Sequence, residues 1–102
     1  MKISVVIPCY NEIKTISEII KRVNKALNKY QFEVLVIDDC STDGSVALLE
    51  KLKLNNKNVR VLFNSKNLGK GASLRKGFNE AKGEIICIQD ADLEYDPNDL
   101  IP

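Results

Sequence analysis

The sequence carries no surplus of either charge: 15 Lys and Arg stand against 14 Asp and Glu over 102 residues. A dedicated nucleic-acid binder would show a basic excess gathered on one face, so the balance argues against that class, and a phosphate ligand would have to be bound locally. Cysteine is scarce and odd in number. Cys9, Cys40 and Cys87 form no CxxC pair, which leaves neither a disulfide framework nor a zinc site and points to reduced thiols in the cytoplasm. Long apolar runs are missing too. Ile3 to Ile7 is too short for a signal peptide or a membrane span, and no later run approaches the roughly 20 residues a bilayer requires. No internal repeat, low-complexity tract or linker divides residues 1–102, which read as one domain able to bury about two-thirds of its unfolded surface.

What the chain does contain is alternation. Four Val- and Ile-rich runs, at 3–7, 32–37, 59–63 and 84–89, alternate with three helical patterns. The runs are mostly continuously apolar, as expected of strands covered on both faces, and so of a parallel sheet. Ile13, Ile16, Ile19, Ile20, Val23, Leu27 and Tyr30 recur at helical spacing, and Thr15-x-x-Glu18 has the form of a capping box. Asp43-Gly44 marks a turn before a second helix supplied by Val46, Leu48, Leu49, Leu52 and Leu54. A third begins near Lys70 or Gly71, with Ala72, Leu74, Phe78 and Ala81 inward and Gly83 as its stop. Strand-helix-strand units with right-handed crossovers build an open, doubly wound α/β sheet of mostly parallel strands, with an expected order of 3-2-1-4. Asp96 to Pro102 reads as a turn and the opening of a helix, so the chain is expected to be the N-terminal piece of a longer protein, truncated at its C-terminal end. The flank carrying Ile86 and Ile88 should then expose apolar surface and an unpaired strand edge, which invites self-association.

In sheets of this kind ligands bind beyond the carboxyl ends of the strands, near the point where strand order reverses. Every unusual cluster falls there: Pro8 to Glu12, Asp38 to Gly44, Asn64 to Gly71 and Gln89 to Asp92. Asp90 and Asp92 are two apart and would point the same way if the strand geometry persists, and two ionised carboxylates that close call for a cation of the Mg²⁺ or Mn²⁺ type. Taken singly, each cluster has a plainer reading. Asp90 to Glu94 suits a solvated acidic turn, Tyr10 a core aromatic in a connector, Asp38-Asp39 helix capping and turn chemistry, and Lys70 a solvated lysine in a glycine turn. Asn67-Leu68-Gly69-Lys70-Gly71 matches neither the P-loop nor the dinucleotide fingerprint. The three cysteines read as small buried hydrophobes.

In this order and spacing, four blocks closely resemble the successive motifs of glycosyltransferase family 2. They are Ile3-Ser4-Val5-Val6-Ile7-Pro8-Cys9-Tyr10-Asn11-Glu12, Val36-Ile37-Asp38-Asp39-Cys40-Ser41-Thr42-Asp43-Gly44-Ser45, Asn67-Leu68-Gly69-Lys70-Gly71 and Gln89-Asp90-Ala91-Asp92-Leu93-Glu94. Asp90 to Pro97 is most similar to the dolichol-phosphate mannose synthase branch and its bacterial polyprenyl-phosphate relatives. The resemblance implies a GT-A fold, an inverting mechanism and a nucleotide-sugar donor such as GDP-mannose or UDP-glucose. It implies that Pro8, Tyr10 and Glu12 line the nucleoside pocket, that Ile37 contributes backbone, and that Asp39 contacts the base or ribose. Lys70 joins the same site. Asp90 and Asp92 would bind the Mg²⁺ or Mn²⁺ ion with the donor diphosphate, Ala91 would lie against the nucleotide, and Glu94 occupies a metal-contact position where relatives often carry Gln.

The acceptor implied is a polyprenyl phosphate, dolichyl or undecaprenyl, or else a saccharide hydroxyl. A phosphate is already an anionic nucleophile, whereas a hydroxyl needs a general base that would lie outside this chain. Such an enzyme would work at the cytoplasmic face of a membrane, attached through parts not in this chain, and the fragment alone is expected to be inactive. Two other classes stay open at this point: a non-catalytic nucleotide-binding or interaction domain, and a Mg²⁺-dependent phospho-acceptor receiver module. A receiver carries its acidic pair after the first strand, and here the pair follows the second.

Overall fold

The computed structural model of the chain describes residues 2–91. The elements run β1 (Lys2–Cys9), α1 (Ile16–Ala26), β2 (Gln31–Asp38), α2 (Ser45–Asn55), β3 (Val59–Phe63), α3 (Lys70–Glu80) and β4 (Ile85–Ile88). All three strand pairings are parallel and the sheet order is β3-β2-β1-β4, the doubly wound arrangement that the alternating pattern predicts. The central strands justify their apolar sequences. Val5, Val6, Ile7, Val34, Leu35, Val36 and Ile37 are all fully buried, because helices cover both faces. On one face Ile3, Val5, Ile7, Val34 and Val36 pack with Ile16, Ile19, Ile20 and Val23 of α1 and Leu49 of α2. On the other, Val6, Leu35 and Ile37 meet Leu62 and Leu74, the latter from α3.

Several details depart from the sequence expectations. Thr15 does precede α1, but its hydroxyl makes no capping bond to the helix. It donates instead to the Ala91 carbonyl, and Glu18 pairs with Arg22 at 3.2 Å rather than reaching back. The turn is closed by backbone bonds, with the N–H groups of Thr15 and Ile16 both donating to the Glu12 carbonyl. Tyr30 lies beyond the end of α1 and is half-exposed. Leu54 is exposed as well, since five residues on from buried Leu49 it sits about 140° around the helix.

α3 is the clearest correction. Phe78 faces solvent, and the buried residues are Ser73 and Gly77. Small residues win here because α3 lies tight against the sheet: a Cβ on Gly77 would come within 2.5 Å of a Val6 methyl. Gly83 is not a left-handed helix stop either. The helix ends at Glu80, and Gly83 permits close passage over β1, where a Cβ would fall 2.7 Å from the Ser4 nitrogen. β4 alternates, with Ile85 and Cys87 against the first core cluster and Ile86 and Ile88 exposed, as expected for that flank.

Candidate functional site

Parallel strands deliver all four of their carboxyl-end loops to one side of the sheet. There they surround a cavity of about 440 Å³ lined by Pro8, Cys9, Tyr10, Glu12, Asp39, Asn67, Gly69, Lys70, Ser73, Asp90 and Ala91. Seven sequence-derived candidates are therefore brought together: Pro8, Tyr10, Glu12, Asp39, Lys70, Asp90 and Ala91. Ile37 does not line the cavity; its side chain is buried with Val6 and Leu35 in the second core cluster. Asp92 and Glu94 lie outside the described residues. Cys9, Asn67, Gly69 and Ser73 were not singled out as site residues. Asn67 and Gly69 flank Lys70 in a loop already marked by composition, and Ser73 sits one helical turn beyond Lys70, so the spacing of that loop held the signal.

The adjacent acids Asp38 and Asp39 take different parts. Asp38 keeps to turn chemistry: its carboxylate accepts from the Ser41 hydroxyl at 2.6 Å and the Ser41 N–H at 3.0 Å. Asp39 reaches across to the loop between β3 and α3. Its Oδ1 accepts from the Leu68 N–H at 2.7 Å and from Asn64 Nδ2 at 2.9 Å, and its Oδ2 accepts from the Gly69 N–H at 2.9 Å. Burial pushes this carboxyl upward, but the bonds from Leu68, Asn64 and Gly69 together outweigh burial and hold it below the usual carboxylate range. Asn64 is itself fixed, donating also to Ser73 Oγ at 3.1 Å and accepting from Lys76 Nζ at 2.9 Å.

The loops after β1 and β2 are pinned to each other. The Asn11 N–H donates to Ser41 Oγ at 2.9 Å, the Thr42 N–H donates to Asn11 Oδ1 at 2.7 Å, and the Ile13 N–H donates to Asp43 Oδ2 at 3.1 Å. Asn11 adopts a left-handed φ of 54° to make this link, a conformation asparagine tolerates better than most residues. Cys9 forms part of the cavity wall but is no nucleophile. Burial, and then the nearby Asp38 charge, push its thiol up to about 12, so it stays protonated.

At the far rim, Lys70 Nζ lies 2.8 Å from Asp90 Oδ1, and the Asp90 side chain remains 24% exposed. This carboxylate already draws a cation, and its hard oxygens suit Mg²⁺ or Mn²⁺ with other positions left to water and phosphate. Among the described residues no three His, Cys, Asp or Glu side chains come close enough together to hold an ion. The Thr15 bond to the Ala91 carbonyl ties the chain beyond β4 to the start of α1. Among the described residues no helix is long and apolar enough to cross a membrane.

Comparison with known proteins agrees with this geometry. The family model for glycosyl transferase family 2 matches residues 4–102. The dolichol-phosphate mannosyltransferase of Pyrococcus furiosus is 35% identical over 102 residues, covering all of this chain and 28% of that protein. S. aureus TarS 1–349, solved in complex with UDP, aligns with a TM-score of 0.77 and 35% identity, covering 90% of this chain and 28% of that one. The mannosyltransferase PcManGT from Pyrobaculum calidifontis, solved with GDP-Man and Mn²⁺, aligns with a TM-score of 0.78 and 28% identity over 88% of this chain and 27% of that one. The chain thus spans less than a third of the length of each of these relatives.

Proposed function

This chain belongs to glycosyl transferase family 2, and from that premise we propose that it forms the nucleotide-sugar-binding part of an inverting transferase acting on a polyprenyl phosphate. The observation that carries the reading is the convergence of all four strand-end loops on one cavity, with Glu12, Asp39 and Asp90 as acids and Lys70 as the cation around it. A volume of about 440 Å³ suits a small ligand held by a few placed polar groups. The nucleoside of a GDP- or UDP-linked sugar would rest against Pro8, Tyr10, Glu12 and Asp39. Tyr10, 47% exposed, has ring surface left to pack on a base.

The diphosphate would then run past Ala91 toward Lys70 and Asp90. Asp90, with Asp92 and Glu94 supplying further oxygens, would hold Mg²⁺ or Mn²⁺, which when bound offsets charge on the diphosphate. Lys70 places its ammonium beside Asp90, where negative charge grows as the leaving group departs. In the transfer, an acceptor oxygen forms a bond to the anomeric carbon from the face opposite the diphosphate. The sugar-diphosphate C–O bond breaks and its electron pair leaves with the nucleoside diphosphate, which inverts the anomeric configuration.

A dolichyl or undecaprenyl phosphate needs no proton removed before it attacks, so this chain need not supply a general base. The name of the Pyrococcus furiosus relative favours that acceptor class, and the GDP-Man and UDP complexes of the solved relatives favour a nucleotide-sugar donor. A saccharide hydroxyl is the alternative acceptor and would require a base from elsewhere. A lipid acceptor would bring the full-length protein to the cytoplasmic face of a membrane, and the 102-residue chain alone should not transfer sugar. The receiver reading has no support left, given the family and the sheet order.

The test is to incubate the full-length protein with labelled GDP-mannose or UDP-glucose, Mn²⁺ and a short-chain polyprenyl phosphate. Label should pass into the lipid fraction with inverted anomeric configuration. Transfer only to saccharide hydroxyls would replace the acceptor, and failure to bind any nucleoside diphosphate would leave a non-catalytic interaction domain.

A further inference from the structure

We propose that Ser73 determines base specificity in the cavity: its hydroxyl donates its proton to a carbonyl oxygen of the base, beside the contact made by Asp39. This rests on the cavity being a nucleotide-sugar site, and it deepens that reading by adding a residue that selects uracil or guanine.

Asn64 fixes the direction of the Ser73 hydroxyl. The Asn64 amide lies between Asp39, whose ionised carboxylate can only accept, and Lys76, whose ammonium can only donate. Nδ2 is therefore the atom 2.9 Å from Asp39 Oδ1, and Oδ1 the atom 2.9 Å from Lys76 Nζ; turning the amide over would lose both bonds. The second proton of the NH₂ goes to Ser73 Oγ at 3.1 Å. Ser73 must accept there, so its own proton points elsewhere. Among the described residues that proton meets no acceptor, while Ser73 is 1% exposed and lines the cavity. Water can take it in the open cavity. A ligand that expels this water has to bring an acceptor or leave a buried donor unpaired, which costs on the order of 1–3 kcal/mol.

Ser73 and Asp39 share the Asn64 amide, which places the hydroxyl beside the carboxylate that the nucleoside rests against. Asp39 Oδ1 takes two bonds, but Oδ2 takes one, from the Gly69 N–H, and keeps room for a donor on the base. An acceptor and a donor side by side match a ring N–H next to a carbonyl. Uracil and guanine present that pair, whereas cytosine and adenine carry an amino group at the corresponding place. An amino group offers the Ser73 proton no acceptor and strands it, the kind of mismatch by which a polar site rejects the wrong ligand.

Calorimetry with Mn²⁺ on the full-length protein and its Ser73→Ala variant tests the proposal, using GDP and UDP beside 6-thio-GDP and the 2-thio and 4-thio forms of UDP. Each analogue keeps the ring N–H and replaces one carbonyl oxygen by sulfur, a weak acceptor. Ser73→Ala should lower affinity for the parent nucleotide by about three- to tenfold. One thio analogue should bind the wild type more weakly than its parent, and that penalty should shrink about three- to tenfold in Ser73→Ala, where the bond is already gone. The bulk of sulfur acts in both proteins, and any loosening of Asn64 acts on both ligands, so neither changes the comparison. Losses that multiply for every analogue would mean that Ser73 serves only to hold Asn64, and would overturn the proposal.

Should Ser73→Ala fold poorly, the wild type alone still decides: equal affinity for the parent nucleotide and all of its thio analogues would overturn the proposal. A wild-type protein that binds neither GDP nor UDP would remove the reading of the cavity together with this one, whereas tight binding without the expected coupling would remove only the role of Ser73.

Discussion

Glu33 in β2 and Asp39 just past its end are six residues apart, both buried and both held below the usual carboxylate range. Their surroundings differ. Glu33 sits toward the amino end of the sheet and closes on a cation: Oε1 accepts from Arg60 Nε at 3.2 Å and Nη2 at 3.0 Å, while Oε2 accepts from Ser4 Oγ at 2.5 Å and the Lys82 N–H at 2.7 Å. Burial raises its carboxyl, and Ser4, Lys82 and Arg60 more than reverse that. It clamps β1, β2, β3 and the link into β4 and borders no part of the loop-lined cavity. Asp39 uses amides in place of a cation and borders the cavity. The same physics that closes a joint at one end of the sheet shapes a binding loop at the other.

The largest expected effect breaks this comparison at the site end. Asp90→Ala in the full-length protein should lower transfer by about 100-fold or more, since the diphosphate loses an oxygen ligand for its ion and the Lys70–Asp90 ion pair is removed. Circular dichroism should be unchanged, because Asp90 is partly exposed and at the rim. Near-normal turnover at limiting Mn²⁺ would remove Asp90 from the site.

At the opposite end the expectation reverses: stability should suffer and chemistry should not. Glu33→Ala takes the carboxylate from Arg60, which keeps the Glu80 carbonyl, and removes the acceptor of the Lys82 N–H and of the Ser4 hydroxyl proton, while Ser4 Oγ still accepts from the Gly83 N–H. Arg60 is 34% exposed and can turn to water, which places the loss at about 2–3 kcal/mol, below that of a fully buried pair. Urea unfolding measures it, with the KM for donor staying near wild type. The pH dependence follows from the sign of the shift. A folded-state value below the unfolded one means that Glu33 stabilises above the ordinary carboxylate value of about 4, and this is lost as pH falls through the folded value. The stability gap between wild type and Glu33→Gln should therefore narrow below about pH 4. A gap independent of pH would mean that the Glu33 charge contributes nothing.

Particular residues show what was legible in the sequence. β3 matches its expected bounds, because Val59 to Phe63 is a short apolar run between polar loops; the parallel sheet follows from the alternation, and the observed order is the expected one of the common doubly wound arrangements. The cavity was legible as four clusters at strand ends, since parallel topology forces those ends together. α3 was legible only in part: it starts at Lys70 and turns Leu74 inward as expected, but its fully buried residues are Ser73 and Gly77, and apolar periodicity assigns small residues to the outside unless the closeness of helix and sheet is known. The Thr15 capping box failed for a different reason: a cap needs the hydroxyl oxygen turned to accept from first-turn N–H groups, and here the side chain is turned instead toward the carbonyl of distant Ala91. Asp39 was marked as a site residue but with its partners unseen, because Leu68 and Gly69 contribute backbone amides, which no residue pattern reveals.

The smallest effect sharpens a second contrast, between β2, covered on both faces, and β4, which pairs only with β1 among the described strands. Ile86 and Ile88 are 42% and 47% exposed on the face that α3 leaves open. Two exposed isoleucines side by side on a strand whose outer edge is unpaired among the described residues favour association with another copy, through apolar burial and through that edge. Replacing both with Thr keeps the β-branch that strands prefer and removes apolar surface that the fold does not bury. The stability of the chain should change by no more than about 0.5 kcal/mol per site. Sedimentation of the 102-residue chain should show mass rising with concentration in the wild type and much less so in the double Thr variant. If both sediment as monomers, the exposed face is not adhesive; if both associate alike, the contact lies elsewhere. Loss of association with stability intact would show that β4 holds its isoleucines for an unmet partner surface, as β2 holds Leu35 and Ile37 for α3.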